Sequence, residues 1–274
     1  MATTATSTPV VSNHLPASAL ISDTITLAWR CMIRFLRTPQ LVIAGTTSPV
    51  LFLLLFYYVF GGAIPIRGLT YVDYLVPAFF VQNVLFAGFT TAVAIAEDAR
   101  SGLVDRFRSL PIARAAPLLG RALFDVLNQG FVLALTTGVA MLLGFRFQTG
   151  LLPALAAVGL TLLLALTFFW VFAAIGLLTR SPETTQAMTT PFFLLIFISS
   201  AYIPVSTMPV WLQRFANYQP VSVFTNALRC LTQGAPAEAI LQHTTSYYVE
   251  ASLLWCLGIA VVFGALALFA YRRL

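Results

Sequence analysis

Lysine is absent from this chain of 274 residues, and all fifteen basic residues are arginine. That absence excludes a Walker A lysine and a Schiff-base lysine, so the chain cannot hydrolyse nucleotide through a P-loop of its own. Histidine is scarce as well: His14 lies in the N-terminal tail and His243 in a connection, and neither offers a base or a metal ligand inside an apolar segment. The cysteines Cys31, Cys230 and Cys256 are too widely spaced for a disulfide framework or a CxxC metal site, and all three read as structural. Charge of either sign is the main deficit. Only 9% of residues are charged, against about 25% in a soluble domain.

What is present is apolar. Hydrophobic residues make up 59% of the chain, and the mean hydropathy is +0.89. A soluble protein could not cover this much apolar surface with so few charges, whereas a bilayer solvates it directly. The net charge of +6 does not indicate nucleic acid, because the arginines are scattered among loops and do not line one face. Residues 1–19 are rich in Ser, Thr, Ala and Pro and lack the basic and apolar regions of a secretory signal, which predicts a disordered cytoplasmic tail.

A hydrocarbon core of about 30 Å needs about 20 apolar helical residues. Runs of that length lie near 41–60, 74–96, 118–144, 151–178, 184–203 and 248–270. Breakers separate them: Gly61-Gly62 and Pro65, Gln148-Thr149-Gly150, Arg180-Ser181-Pro182 and Pro204. Ser181 before Pro182 reads as an N-cap followed by proline at the first helical position. With both termini in the cytoplasm, Arg30, Arg34, Arg37, Arg100, Arg106, Arg108, Arg114, Arg121, Arg180, Arg272 and Arg273 lie inside. Arg67, Arg146, Arg214 and Arg229 lie outside, so the bias is eleven against four. The chain therefore reads as an all-α integral membrane protein. It has six transmembrane helices in a domain over 39–274, an N-terminal amphipathic interfacial helix over 20–38, and external re-entrant half-helices over 204–234.

In the interfacial helix, Ile25, Ala28, Trp29, Met32, Ile33 and Leu36 recur at helical spacing, while Arg30, Arg34 and Arg37 occupy another face. Ser22 or Asp23 is expected to cap it and Pro39 to end it. In the re-entrant segment, Pro204, Pro209 and Pro220 punctuate pieces carrying Met208, Trp211, Leu212 and Phe215, then Val223, Phe224 and Leu228. These pieces are too apolar for a free loop and too short to span.

The one long charged island is 97–114, between two membrane-length runs. Glu97, Asp98 and Arg100 emerge into water and Gly102 can bend the chain. Leu103, Phe107 and Leu110 then share one stripe of a short helix, flanked by Asp105, Arg106 and Arg108 and ended by Pro111. An apolar ridge with a charged border is the form of a piece that docks into a partner's groove. Farther on, Arg121 and Asp125 are spaced as an i, i+4 ion pair.

Two stretches carry a family resemblance. Glu97, Gly102 and Asp105, then Arg108 through Arg114, with Gly120-Arg121 and Asp125, resemble the cytoplasmic loop of type-2 ATP-binding-cassette permeases of the daunorubicin-resistance group. Ser199 through Pro204, Met208 through Leu212, Phe215-Ala216, Gln219 through Ser222 and Asn226 through Arg229 resemble that group's stretch between the fifth and sixth spans. Leu110 stands before the proline where many relatives outside the group carry Thr. The resemblance implies a bacterial plasma-membrane permease of a drug or lipid exporter, working with a second permease chain, identical or paralogous, and two cytosolic ATPase subunits. Loop 97–114, including Arg114, would bind the ATPases, and the hairpin with Pro204, Met208, Pro209, Trp211, Phe215 and Pro220 would cap the external end of the pathway. No cofactor is expected in this chain, and ATP-Mg would sit on the ATPase. The alternative left by the residues is an ion-coupled secondary transporter, although such proteins usually carry ionisable groups near the bilayer midplane. The uncharged interior favours an amphipathic or lipid-like cargo.

Overall fold

The computed structural model describes residues 17–61, 66, 68–103, 113 and 115–273. Among these the secondary structure is helical. An amphipathic α1 (Ala17–Leu36) leads through a two-residue turn into α2 (Pro39–Phe60). Then come α3 (Tyr71–Arg100), α4 (Ala116–Leu142), α5 (Leu151–Thr179) and α6 (Pro182–Phe197). A 3-10 turn (Val205–Thr207) precedes α7 (Val210–Tyr218), α8 (Pro220–Gln233), the single turn α9 (Ala235–Glu238) and α10 (Thr245–Arg273).

Four of these helices, α3, α4, α5 and α10, are long and apolar enough to cross a membrane, at 30, 27, 29 and 29 residues. A shorter apolar stretch, Gly45–Phe60, lies within α2. The 16-residue α6 would extend only about 24 Å, short of a hydrocarbon core. It starts as its residues require: the Ser181 side chain accepts from the Thr184 N–H at 3.4 Å, with Pro182 at the first helical position. It stops at Phe197, and turns without helical structure carry the chain through residue 203, the expected end of that apolar run.

The centre of the fold is α3, buried continuously from Tyr71 to Leu85. Its approach to α5 depends on two glycines. A Cβ at Gly88 would lie 2.0 Å from the Phe172 ring, and one at Gly176 would lie 2.4 Å from the backbone oxygen of Ala92. Without side chains there, the helices interlock like solids. On the far side of α5, α10 packs with Gly264 under Trp170. The short α8 is not a surface element. It is buried from Val221 to Gln233, with Phe224 edge-on to Phe168 of α5 at 5.9 Å.

The sequence expectation for α1 needs one correction. Helix α1 begins five residues before Ser22, so neither Ser22 nor Asp23 caps it. Asp23 lies in its second turn and its carboxylate serves a distant backbone group instead. Ala28 is buried because α1 crosses α4 at Gly120, where an added Cβ would sit 2.8 Å from Leu27 Cβ. Phe35 meets Phe124 edge-on at 5.9 Å. Ile21, Ile25, Trp29 and Leu36 remain exposed, and this apolar stripe suits a lipid boundary.

Candidate functional site

Two ends of the molecule collect the residues of interest. At the end where α3 finishes, Glu97 and Arg100 are exposed, and Asp98 is half-buried near Arg121, Arg34 and Arg30. The arginines of α1 thus share a field with the first acidic residues of the 97–114 island. Arg100 pairs with Glu183 at the start of α6 at 3.6 Å, but both side chains are solvated and the pair contributes little. Gly102 takes φ +72, a left-handed conformation that turns the chain out of α3, and Leu103 follows it. Asp105, Arg106, Phe107, Arg108, Leu110, Pro111 and Arg114 lie outside the described residues.

Chain re-entry after the island is tied on two sides. The Asp23 carboxylate accepts from the Ala113 backbone N–H at 3.1 Å. One turn into α4 the ion pair expected at Arg121 and Asp125 is present at 3.4 Å, and Thr91 of α3 donates to the same carboxylate at 2.6 Å. Asp125 therefore links α3 to α4, and Asp23 links α1 to the end of the island.

At the opposite end, Pro204, Met208, Pro209, Trp211, Phe215 and Pro220 fall in one continuous segment. Pro209 and Pro220 open α7 and α8 with their fixed φ, and Gln213 Nε2 donates to the Met208 carbonyl at 2.8 Å to close the first turn. Trp211 is 74% exposed. With Val210, Phe215 and Tyr218 it forms an exposed, largely apolar outer face on α7, interrupted by Arg214. The inner face is anchored through Ala216, and Gln219 Nε2 donates to the Leu195 carbonyl of α6 at 3.2 Å.

Sequence reasoning missed the central residue of this end. Arg229, counted among the arginines of an aqueous loop, is instead fully buried at 0% exposure. Its Nε and Nη2 donate to the Tyr74 carbonyl at 3.1 and 3.0 Å, Nη2 reaches the Ser200 carbonyl at 3.1 Å, and Nη1 donates to Asn226 Oδ1 at 2.9 Å. The guanidinium carbon lies 3.6 Å from the Tyr74 ring centroid. Around it, Ser200 Oγ donates to Asn226 Oδ1, Tyr74 Oη donates to the Ser200 carbonyl, and Ser222 Oγ accepts from the Ser200 N–H. One level deeper, Tyr202 Oη donates to Gln82 Oε1 and its ring stacks on Phe56 of α2 at 4.3 Å. The signal for Arg229 was present in its setting. An arginine within Val221–Leu231, where other charge is absent, is better explained by buried partners than by water.

No group of His, Cys, Asp and Glu among the described residues is arranged to hold a metal ion. What the two ends offer is connection: one set of side chains ties the exit of a charged loop to three helices, the other ties a short hairpin to the buried α3.

The ABC-2 type transporter family matches residues 22–231. The daunorubicin resistance ABC transporter permease protein DrrB1 of Streptomyces coeruleorubidus is 32% identical over 270 residues, covering 97% of this chain and 92% of that protein. The doxorubicin resistance ABC transporter permease protein DrrB of Mycobacterium tuberculosis is 32% identical over 204 residues, 69% of each chain. A probable doxorubicin resistance permease, DrrC, of the same organism is 25% identical over 258 residues, 94% of this chain and 91% of that one. The match covers α1, the island and the buried α8 alike, and the chain belongs to the ABC-2 type transporter family, as a membrane permease subunit whose ATP is hydrolysed by a partner ATPase.

Proposed function

We propose that this permease exports an amphipathic, drug-like or lipid-like compound across a bacterial plasma membrane. The observation that carries the cargo class is the likeness, along 97% of the chain, to a permease named for daunorubicin resistance. The absence of Asp, Glu, Lys and Arg from the apolar middles of α4, α5 and α10 agrees with it, since such an interior suits an amphipathic molecule better than a small ion. An ion-coupled secondary transporter, the alternative left by the residues, finds no support in this family.

In this reading α2 and α6, the latter completed by the turns through residue 203, join the four long helices as spans, giving six, with both termini in the cytoplasm. The arginine excess on that side supports the orientation. Loop 97–114 contacts the ATPase through Leu103, Phe107 and Leu110. Two ATPase subunits hold ATP-Mg, and a second permease chain, identical or paralogous, completes the pathway. The hairpin over 204–234 re-enters the outer leaflet and closes the external end, its Trp211 face lying at the interface where indoles are favoured.

Inverted vesicles from cells producing this chain with its ATPase test the reading. Accumulation of a fluorescent anthracycline is expected to depend on ATP and to persist when the proton and sodium gradients are collapsed. Accumulation that follows an ion gradient without ATP would overturn it.

A further inference from the structure

Helix α6 ends at Phe197, and the turns after it leave carbonyls at Ser200 and Ala201 that no helix satisfies. Unpaired carbonyls in an apolar interior are costly, so non-helical backbone at membrane depth persists only where protein groups take up its polar atoms. Arg229 does this. Its fork reaches the Ser200 carbonyl at 3.1 Å, the Ala201 carbonyl at 3.5 Å and the Tyr74 carbonyl of α3, while Nη1 holds Asn226 of its own helix. One side chain thus ties α3, the turn after α6 and α8 together.

We propose that Arg229 is the positioning residue that holds the hairpin shut against α3, and that opening of this end exchanges its carbonyl partners for water. The inference rests on reading the hairpin as the external closure. Arginine suits the role because its planar fork donates in several directions at once and stays charged, whereas a lysine ammonium is a point charge. The guanidinium donates to backbone carbonyls and one amide oxygen, all neutral. Water can replace neutral acceptors one by one, while separation from a carboxylate would leave two opposite charges unpaired. Such a contact can open and close. Ser222 and Tyr74 Oη keep hold of the Ser200 peptide from the α8 and α3 sides, so the turn moves as a unit with whichever helix retains it.

The test uses the permease with its ATPase in proteoliposomes, in a background with Cys31, Cys230 and Cys256 replaced by alanine and carrying Ser199→Cys. Ser199 is buried and is not a partner of Arg229. Labelling by a membrane-impermeant maleimide from the external side is expected to be slow without nucleotide and several-fold faster during ATP turnover. Arg229→Lys is expected to label fast in both conditions and to lose ATP-driven export while retaining bound ATPase. A residue needed only for folding would lower accumulation without abolishing the nucleotide dependence. If Arg229→Lys labels and exports as the parent does, the inference is wrong. If that variant does not accumulate, Asn226→Leu, which removes one acceptor, decides: nucleotide-independent labelling supports the proposal and parental labelling overturns it. A cysteine substituted for Trp211 separates the two readings. Labelling of that position only from the cytoplasm defeats the hairpin assignment itself, whereas external labelling combined with a parental Arg229→Lys defeats only the pin.

Discussion

The Asp23 carboxylate and the Ala113 backbone N–H, ninety positions apart in the chain, meet at 3.1 Å. The contact joins the amphipathic α1 to the last part of the charged island, and the crossing of α1 over α4 at Gly120 stiffens the same junction. The end of the island is therefore tied to α1 and, through that crossing, to α4. Asp23→Ala removes the acceptor and is expected to cost about 1 kcal/mol of stability, since a charge-assisted bond at a half-buried site keeps only part of its full value. Export is expected to fall while ATPase still co-purifies. Asp23→Asn, which keeps an oxygen acceptor, is expected to retain more export. Equal export by Asp23→Ala and the parent would remove α1 from the coupling path.

Close helix contact at Gly176 predicts a larger effect. A methyl there meets the backbone oxygen of Ala92, and backbone cannot rotate away as a side chain can. Gly176→Ala is expected to destabilise the α3–α5 pair by about 1–3 kcal/mol, the usual range for overpacking. Thermal unfolding in detergent reads this directly. An unchanged midpoint would mean that α3 and α5 are not packed this closely.

Trp211 is expected to behave in the opposite way. Its ring faces away from the protein, so Trp211→Ala leaves the unfolding midpoint in detergent nearly unchanged. With the hairpin placed as proposed, the same change in a bilayer is expected to lower export or render the pathway leaky, with the ATPase still bound. A large loss of stability in detergent would show that the ring packs inside the assembly.

Acid sensitivity is expected at the turn before α10. Glu238 Oε1 accepts from the Thr245 hydroxyl at 2.6 Å and from its backbone N–H at 2.7 Å. These bonds, the side-chain one first, hold the carboxyl below the ordinary glutamate range. A carboxyl whose pKa is depressed in the folded state adds stability above its unfolded pKa and loses it as pH falls through the folded value. Glu238→Gln is therefore expected to unfold at a lower temperature than the parent at neutral pH, and the gap is expected to close below the ordinary glutamate pKa of about 4.3. A gap that does not change with pH would show that the charge is irrelevant.

Much of this arrangement was readable in the residues because it is local. The helix start at Ser181 and Pro182 is carried by two adjacent residues, and Arg121 and Asp125 face each other by helical spacing alone. The alternation of apolar and basic positions in α1 likewise follows from one turn to the next. What could not be read depends on partners far away in sequence. Asp23 looks like a cap until Ala113 is brought beside it. The apolar setting of Arg229 points to burial, but its partners Tyr74 and Ser200, 155 and 29 positions distant, cannot be named from it. The apolar run through residue 203 looks like uninterrupted helix, because nothing local reveals that Arg229 can take over the carbonyls released after Phe197.

ATP hydrolysis by the purified permease, alone and with its ATPase, tests the division of labour most directly. The lysine-free chain is expected to be inactive alone, and hydrolysis is expected to appear with the ATPase and to be stimulated by exported drug. Phe107→Ala is expected to weaken ATPase binding by about 2 kcal/mol if that ring anchors the contact, abolishing drug stimulation while the permease still inserts. Robust turnover by permease shown to be free of ATPase would contradict the account, as would full drug stimulation in the Phe107→Ala complex.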